Sequence, residues 1–402
     1  MVKIGIIRED KIPIDKRVPL TPTQASRVKK DFRTEVVAQT SSIRCFSDES
    51  YKGEGIKVVE DVTDCDILLG VKEVPISELF PNKTYIFFSH TTKKQPYNRK
   101  LLYEVVKKGI RLVDYECLTN AEGNRVIAFG RYAGLVGAYN GILTYGKKFG
   151  LFKLKPAHQC HDFEELETEF KKVDLPPIKI ALTGGGRVAH GAMEVLDGMK
   201  IKKVTPKEFL ENKNHDEAIY AQLGMEDYNL KMDGKEFTND EFHKHPERFT
   251  GDFLKYTKEA DLLIAGAYWD PKAPVLFTIT DMQSPDFNIK VIADITCDIE
   301  GSIPSTLRAS TIDQPHYDYS PIEEVEKPAF SGEKNITVMA VDNLPCELPR
   351  DASNAFGEQL LNNVLPHLLG NDGEGIIKRA TICENGRLTE RYSYLQDYLD
   401  GQ

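Results

Sequence analysis

Several things are missing from this sequence, and each absence excludes something. There is no apolar run of about 18 residues, the least a membrane-spanning helix needs. Met1-Val-Lys-Ile-Gly-Ile-Ile-Arg8 starts as a strand and lacks the apolar core of a signal peptide, so a cytoplasmic protein with no membrane partner is expected. Positive charge is not in excess. Lys and Arg total 52 against 62 Asp and Glu, a net charge of −10, which argues against a nucleic-acid surface. The 7 cysteines, at 45, 65, 117, 160, 297, 346 and 383, form no C-x-x-C. An odd, scattered set suggests reduced thiols and excludes a disulfide framework. His158-x-Cys160-His161 has no second half-site, so it reads as a solvated loop, and no metal is expected. Short-period repeats and low-complexity tracts are also absent.

What is there begins with Ile180-Ala-Leu-Thr-Gly184-Gly185-Gly186-Arg187-Val188-Ala189-His190-Gly191. It reads as a buried strand, a glycine turn and a helix start, with Gly184-x-Gly186-x-x-Ala189 fitting a dinucleotide-binding fingerprint. The first glycine permits the turn. The second lets backbone approach a pyrophosphate, and the third small residue lets helix and strand pack. The helix N-terminus then offers unpaired N–H groups to phosphate. A glycine turn can also join strand to helix with no ligand, so context matters. Further apolar runs come after it, ending at Lys203-Val204-Thr205 and spanning Asp261–Ala267 and Lys290–Ile295. Strands alternating with helices imply a parallel, doubly wound sheet.

A second set of runs fills the first third: Lys3–Arg8, Thr34–Ala38, Asp66–Val71, Thr84–Ser89, Ile110–Asp114 and Arg125–Phe129. Helix-like stretches at Thr23–Lys30 and Asn98–Lys108 lie between them. At 402 residues, two domains are expected. Charged residues end strand after strand: Arg8-Glu9, Lys72-Glu73, His90, then Asp114-Tyr115-Glu116. Ligands of open α/β sheets bind beyond the carboxyl ends of strands, so these groups converge on one rim. A Lys with a lowered pKa and a His are suitable proton-transfer groups near neutrality. Glu73 and Glu116 would hold them in working protonation states, and Arg17 is either a carboxylate clamp or an ordinary surface charge. The small-residue-dense run Arg125–Gly141 suits a closely packed helix.

Several separate segments also resemble one family. Lys16-Arg17-Val-Pro-Leu-Thr-Pro22 is similar to the alanine dehydrogenase and pyridine nucleotide transhydrogenase superfamily. Gly70-Val-Lys72-Glu73, Phe88-Ser-His90-Thr91, Asp114-Tyr-Glu116, Arg125-Val-Ile-Ala-Phe-Gly130 and Val341-Asp342-Asn-Leu-Pro-Cys-Glu-Leu-Pro-Arg350 resemble lysine-forming saccharopine dehydrogenase. They equally resemble the lysine–2-oxoglutarate reductase domain of the bifunctional lysine-degrading enzyme. Lys244-His-Pro-Glu-Arg-Phe249 and Asp294-Ile-Thr-Cys-Asp-Ile-Glu-Gly-Ser302 resemble that reductase domain in particular.

The resemblance implies two Rossmann-like, doubly wound α/β domains with a cleft between them. Residues 1–140 with 335–402 would bind substrate, and 141–334 would bind the dinucleotide. The implied reaction is saccharopine, NAD(P)⁺ and water to lysine, 2-oxoglutarate and NAD(P)H, or the reverse. Alternatives are a dehydrogenase acting on a smaller amine or opine, and a nucleotide-binding regulator without turnover. Carried over by motif, Lys72 and His90 form the acid–base pair, tuned by Glu73 and Glu116, and Arg17 and Arg125 hold substrate carboxylates. Gly184, Gly186, Arg187, Val188, Thr205 and Asp342 would contact the cofactor. A carboxylate roughly 20 residues past the glycine loop selects NAD. Thr205 stands there, flanked by Lys203 and Lys207, so the expectation leans to NADP(H) or dual use. The partners expected are small molecules, with self-association open.

Overall fold

The structure is a computed structural model that describes residues 1–212 and 214–401. The chain divides into two compact units, Met1–Phe129 with Pro349–Gln402, and Gly130–Leu348. Among the described residues, no helix is long and apolar enough to cross a membrane.

The first unit has six parallel strands: β1 (Lys3–Ile6), β2 (Glu35–Gln39), β3 (Lys57–Val59), β4 (Ile67–Leu69), β5 (Thr84–Phe87) and β6 (Arg111–Asp114). Their order is β3-β2-β1-β4-β5-β6, the doubly wound arrangement. Thr381–Glu384 and Arg387–Leu388 extend the sheet antiparallel beyond β6. Side chains alternate between faces along each strand. Ile4, Ile6, Val36 and Ala38 enter one core, and Val37, Leu68, Tyr85 and Phe87 the other. Both faces are covered, which is why these strands read as apolar runs without alternation. Helices α1 (Pro22–Asp31), α2 (Asp48–Gly53) and α3 (Arg99–Lys107) connect them. Thr21-Pro22 is a helix start, with Thr21 and Gln24 forming a reciprocal capping box.

One expected strand is absent. Arg125–Phe129 joins no sheet: Arg125 makes an isolated bridge to Thr119, and the chain bends at Val126, whose N–H donates to Leu118 O at 3.0 Å. The Gln359 side chain serves its backbone instead, accepting from Ala128 N at 3.1 Å and donating to Ala128 O at 3.2 Å.

The second unit opens with α4 (Gly130–Phe149) and α5 (Phe163–Phe170), then β7 (Lys179–Thr183), α6 (Arg187–Gly198), β8 (Lys202–Val204), α7 (Pro206–Glu211) and β9 (Ile219–Leu223). After a small hairpin, β10 (Asn229–Lys231) with β11 (Phe249–Gly251), come β12 (Leu262–Ala265), β13 (Val291–Asp294), β14 (His316–Ser320), β15 (Val325–Lys327) and β16 (Ile336–Met339). The sheet order is β15-β14-β16-β13-β12-β7-β9-β8, with β14 and β15 antiparallel. The strand next to β7 is therefore β9, and β8 lies at the edge. Thr205 does follow the expected second strand, but that strand is not beside the one that leads into the glycine loop. The reason is burial. Lys202 and Lys203 are exposed, whereas Ile219, Tyr220 and Ala221 are buried and fill the inner place.

The small residues of α4 and α6 explain a close crossing. A Cβ on Gly134 would lie 1.9 Å from Val188 O, and one on Gly191 would lie 2.0 Å from Arg131 O. Only hydrogen fits there, so the two helices meet backbone to backbone.

Candidate active site

Because β1, β4, β5 and β6 are parallel, their carboxyl ends lie along one edge of the first unit. Lys72 and Glu73 come just after β4, and His90 just after its neighbour β5. His90 Nδ1 lies 2.7 Å from Glu73 Oε1, and Lys11 Nζ donates to Glu73 Oε2 at 2.5 Å. Burial works against the Glu73 carboxylate. The hydrogen bonds from His90 and Lys11 outweigh it and take its pKa down to about 2. An ionised Glu73 accepts from Nδ1–H, which leaves the Nε2 lone pair for chemistry. His90 adopts φ 51°, a left-handed conformation that non-glycine residues rarely take and that clusters at functional sites.

Two buried carboxylates hold the backbone of this rim. Glu9 accepts from Val71 N at 2.5 Å and from Lys72 N at 2.9 Å. Burial, and then the nearby Asp15, push its pKa up to about 8 against the pull of those N–H groups. Asp114 accepts from Ser89 N at 2.9 Å, Ser89 Oγ at 2.5 Å and Glu116 N at 2.7 Å. It thereby fixes the residue before His90 and the start of the Glu116 turn. Burial raises its pKa. The sequence puts Glu9 and Asp114 on the rim but assigns them no task, since neither backbone bond leaves a spacing signal.

Glu116 accepts from Arg125 at 2.7 Å and lies 3.5 Å from Lys93. Burial raises its pKa, but Lys93, Arg125 and His90 outweigh that and leave it lowered. The Arg125 side chain is about half exposed, so its guanidinium meets both Glu116 and solvent. Arg17 differs. It is 3 % exposed, donates to both oxygens of Asp15 at 3.0 and 2.5 Å, and lies 4.3 Å from the Phe129 ring. A substrate carboxylate on Arg17 would have to share it with Asp15.

In the second unit, Gly184 has φ 107°, and a Cβ there would lie 3.2 Å from the Ala267 and Gly266 backbone. Gly185, Gly186 and Arg187 are exposed, and a Cβ on Gly186 would meet nothing within 4 Å. Helix α6 carries no side-chain cap at its N-terminus. Open space above uncapped N–H groups fits a pyrophosphate. Val188 is half-buried against Gly266 and Gly130. Gln222 on β9 donates to Gly184 O at 2.9 Å and braces the turn. A pocket beside the loop is lined by Thr183, Met225, Tyr268, Trp269, Leu276 and Thr296, with Tyr268 81 % exposed. The residues therefore fit a dinucleotide.

Thr205 does not face this loop. It caps α7, accepting from Glu208 N at 3.2 Å and donating to Glu208 Oε2 at 2.8 Å. It ends the edge strand, two strand spacings, or roughly 10 Å, from β7. Glu226, three residues past β9, is the exposed carboxylate at the end of the neighbouring strand. Asp342 is exposed three residues beyond β16. Its charge reaches the Cys297 thiol, which burial and then Asp342 push up to about 12.

Residues 5–136 match the model of the alanine dehydrogenase/PNT N-terminal domain. That match covers about the first third of the chain. The chain is 31% identical to alpha-aminoadipic semialdehyde synthase of Mus musculus, over 98% of this chain and 47% of that protein. It thus spans about half the length of that relative. Saccharopine dehydrogenase [NAD(+), L-lysine-forming] of Emericella nidulans is 26% identical over 89% of this chain and 90% of its own. Among solved structures, an L-alanine dehydrogenase superposes with a TM-score of 0.65 at 18% identity, covering 100% of this chain and 99% of the other. A transhydrogenase from Sinorhizobium meliloti reaches 0.62 at 13% identity, covering 96% and 100%. These two likenesses are of fold.

Proposed function

We propose that this protein is an NAD(P)-dependent oxidoreductase that interconverts saccharopine with lysine and 2-oxoglutarate. The first unit would hold the amino acid and keto acid, and the second the cofactor. The observation that carries this is His90 locked on Glu73 at 2.7 Å beside Lys72, whose backbone Glu9 holds. Full-length similarity to a saccharopine dehydrogenase supports the substrate class.

When bound, the nicotinamide accepts or returns a hydride at the carbon beside the substrate's secondary amine. This chain's residues manage protons and orientation. In the lysine-forming direction the secondary amine must first lose a proton. Once hydride has also left the adjacent carbon, water adds to the imine and gives up a proton, and collapse of the carbinolamine to the keto acid needs an acid to protonate the departing amine. We assign these transfers to His90, through Nε2, and to Lys72. Glu73 stabilises the imidazolium that forms at His90. Arg125 holds a substrate carboxylate, with Glu116 fixing its guanidinium. Arg17 is a second carboxylate contact once Asp15 gives way.

For the cofactor, Gly184, Gly186, Arg187 and Val188 would cradle the pyrophosphate, and Asp342 would stand at the nicotinamide end. The ribose contact passes from Thr205 to Glu226, because β9 is the neighbour of β7. A carboxylate there accepts from a 2′-hydroxyl and repels a 2′-phosphate, which favours NAD(H).

Lysine with 2-oxoglutarate is expected to drive NADH oxidation, monitored at the nicotinamide absorbance. Turnover with alanine and pyruvate, and none with lysine, would overturn the proposal.

A further inference from the structure

Apart from the glycine loop, the second unit contains a polar cavity of about 270 Å³ along α4. Asn140, Leu143 and Lys147 line it from one face of that helix, at helical spacing. His158, from the motif read as a solvated loop, lines it as well, together with His316 and Glu347.

Its polar groups are incompletely matched. Glu347 is 2 % exposed. Its Oε1 accepts from Asn140 at 2.8 Å, but Oε2 stands 3.6 Å from His158 Nδ1, too far for a hydrogen bond. Among the described residues, His158 Nδ1 and His316 Nε2 are buried and lack a partner. Each such group costs about 1–3 kcal/mol, so several around one cavity call for something that completes them. Lys147 makes no ion pair among the described residues, and burial lowers its pKa. Burial, and then Lys147, hold His316 down at about 4, so the ring is neutral near pH 7.

The two ends offer different groups, with Asp313, three residues before His316, also on the lining. Glu347 and His158 form an acceptor end beside Asn140. Lys147 and His316 form a donor end. Asn140 and Lys147 are two turns apart, roughly 10 Å along the axis, with Leu143 between them. A metal ion suits neither the length nor the ammonium. Among the described residues, no three His, Cys, Asp or Glu side chains converge tightly enough to hold one.

We propose that this cavity binds a linear ω-amino carboxylate, its ammonium at Glu347 and His158 and its carboxylate at Lys147 and His316. None of the acid–base residues proposed above lines it, so this inference does not depend on the reaction.

The test reads the site directly. The full chain, labelled at its histidine rings, is titrated with 6-aminohexanoate and monitored by NMR, with His158→Gln and His316→Gln assigning the two signals. Both signals should shift and saturate by about 10 mM, an order above the weak affinity expected of a small polar ligand. Lys147→Met should weaken binding at least tenfold. Hexanoate and hexylamine should each bind at least tenfold more weakly than the probe. Unmoved signals would overturn the proposal, as would shifts that survive Lys147→Met. Hexanoate binding as tightly as the probe would make it a plain anion site and also overturn it. Loss of turnover with lysine would leave these signals unaffected, so the two proposals fail separately.

Discussion

The two units share a fold and differ at the rim. In the first, ionised side chains hold one another: Glu73 takes His90 and Lys11, Glu116 takes Arg125 and Lys93, and Arg17 takes Asp15. In the second, the corresponding edge is glycine, with open space over Gly186 and uncapped N–H groups on α6. Proton transfer needs side chains fixed in chosen charge states, which only neighbouring charges and burial supply. Phosphate binding needs backbone and room, which charged side chains would fill. The same parallel sheet thus supports two tasks, according to the residues at the carboxyl ends of its strands.

The largest expected effect separates those tasks. Lys72→Met with His90→Gln should lower kcat by at least about 10²–10⁴-fold, the worth of a positioned proton-transfer group. Cofactor affinity, read by fluorescence titration, should stay within about twofold of the parent's. Equal losses in both would break the division of labour.

A smaller effect tests the second rim alone. Glu226→Ser should move the ratio of kcat/KM for NADPH over NADH up by about tenfold, or ~1.4 kcal/mol. Thr205→Asp, on the edge strand, should leave that ratio unchanged. The opposite pattern would return the ribose contact to Thr205.

The smallest effect sharpens the contrast within the first rim, and its signs are opposite at two carboxylates. Glu73 has its pKa lowered from 4.5 to about 2. Its contribution to stability is complete above about 4.5 and fades as pH falls toward 2. Glu9 is raised from 4.5 to about 8. Its contribution is complete below about 4.5 and fades as pH rises toward 8. Urea unfolding across pH should therefore show a shallower acid limb in Glu73→Gln and a flatter profile between about 4.5 and 8 in Glu9→Gln. Identical profiles for both variants and the parent would refute these pairings.

Much of the architecture was legible in the chain. Apolar runs located β1, β2, β4, β5 and β6, because strands covered on both faces carry little else. The glycine loop was legible because φ 107° at Gly184 leaves few other choices. Arg125–Phe129 misled, since an apolar run also suits a segment whose backbone bonds a side chain, here Gln359. Strand order was not legible: Lys202–Val204 is a strand as read, but the sheet puts Ile219–Leu223 beside the glycine strand.

By itself the sequence determined the α/β class, the dinucleotide loop and the cast of charged residues at strand ends. These rest on local preferences and short periodicities, which neighbouring residues write directly. Tertiary structure decided which strand lies next to β7, which partners Glu73 and Glu116 take, and that Glu9 reaches across 63 positions to Lys72. Those depend on burial and on contacts between distant segments, and no spacing along a chain encodes a distance across a fold.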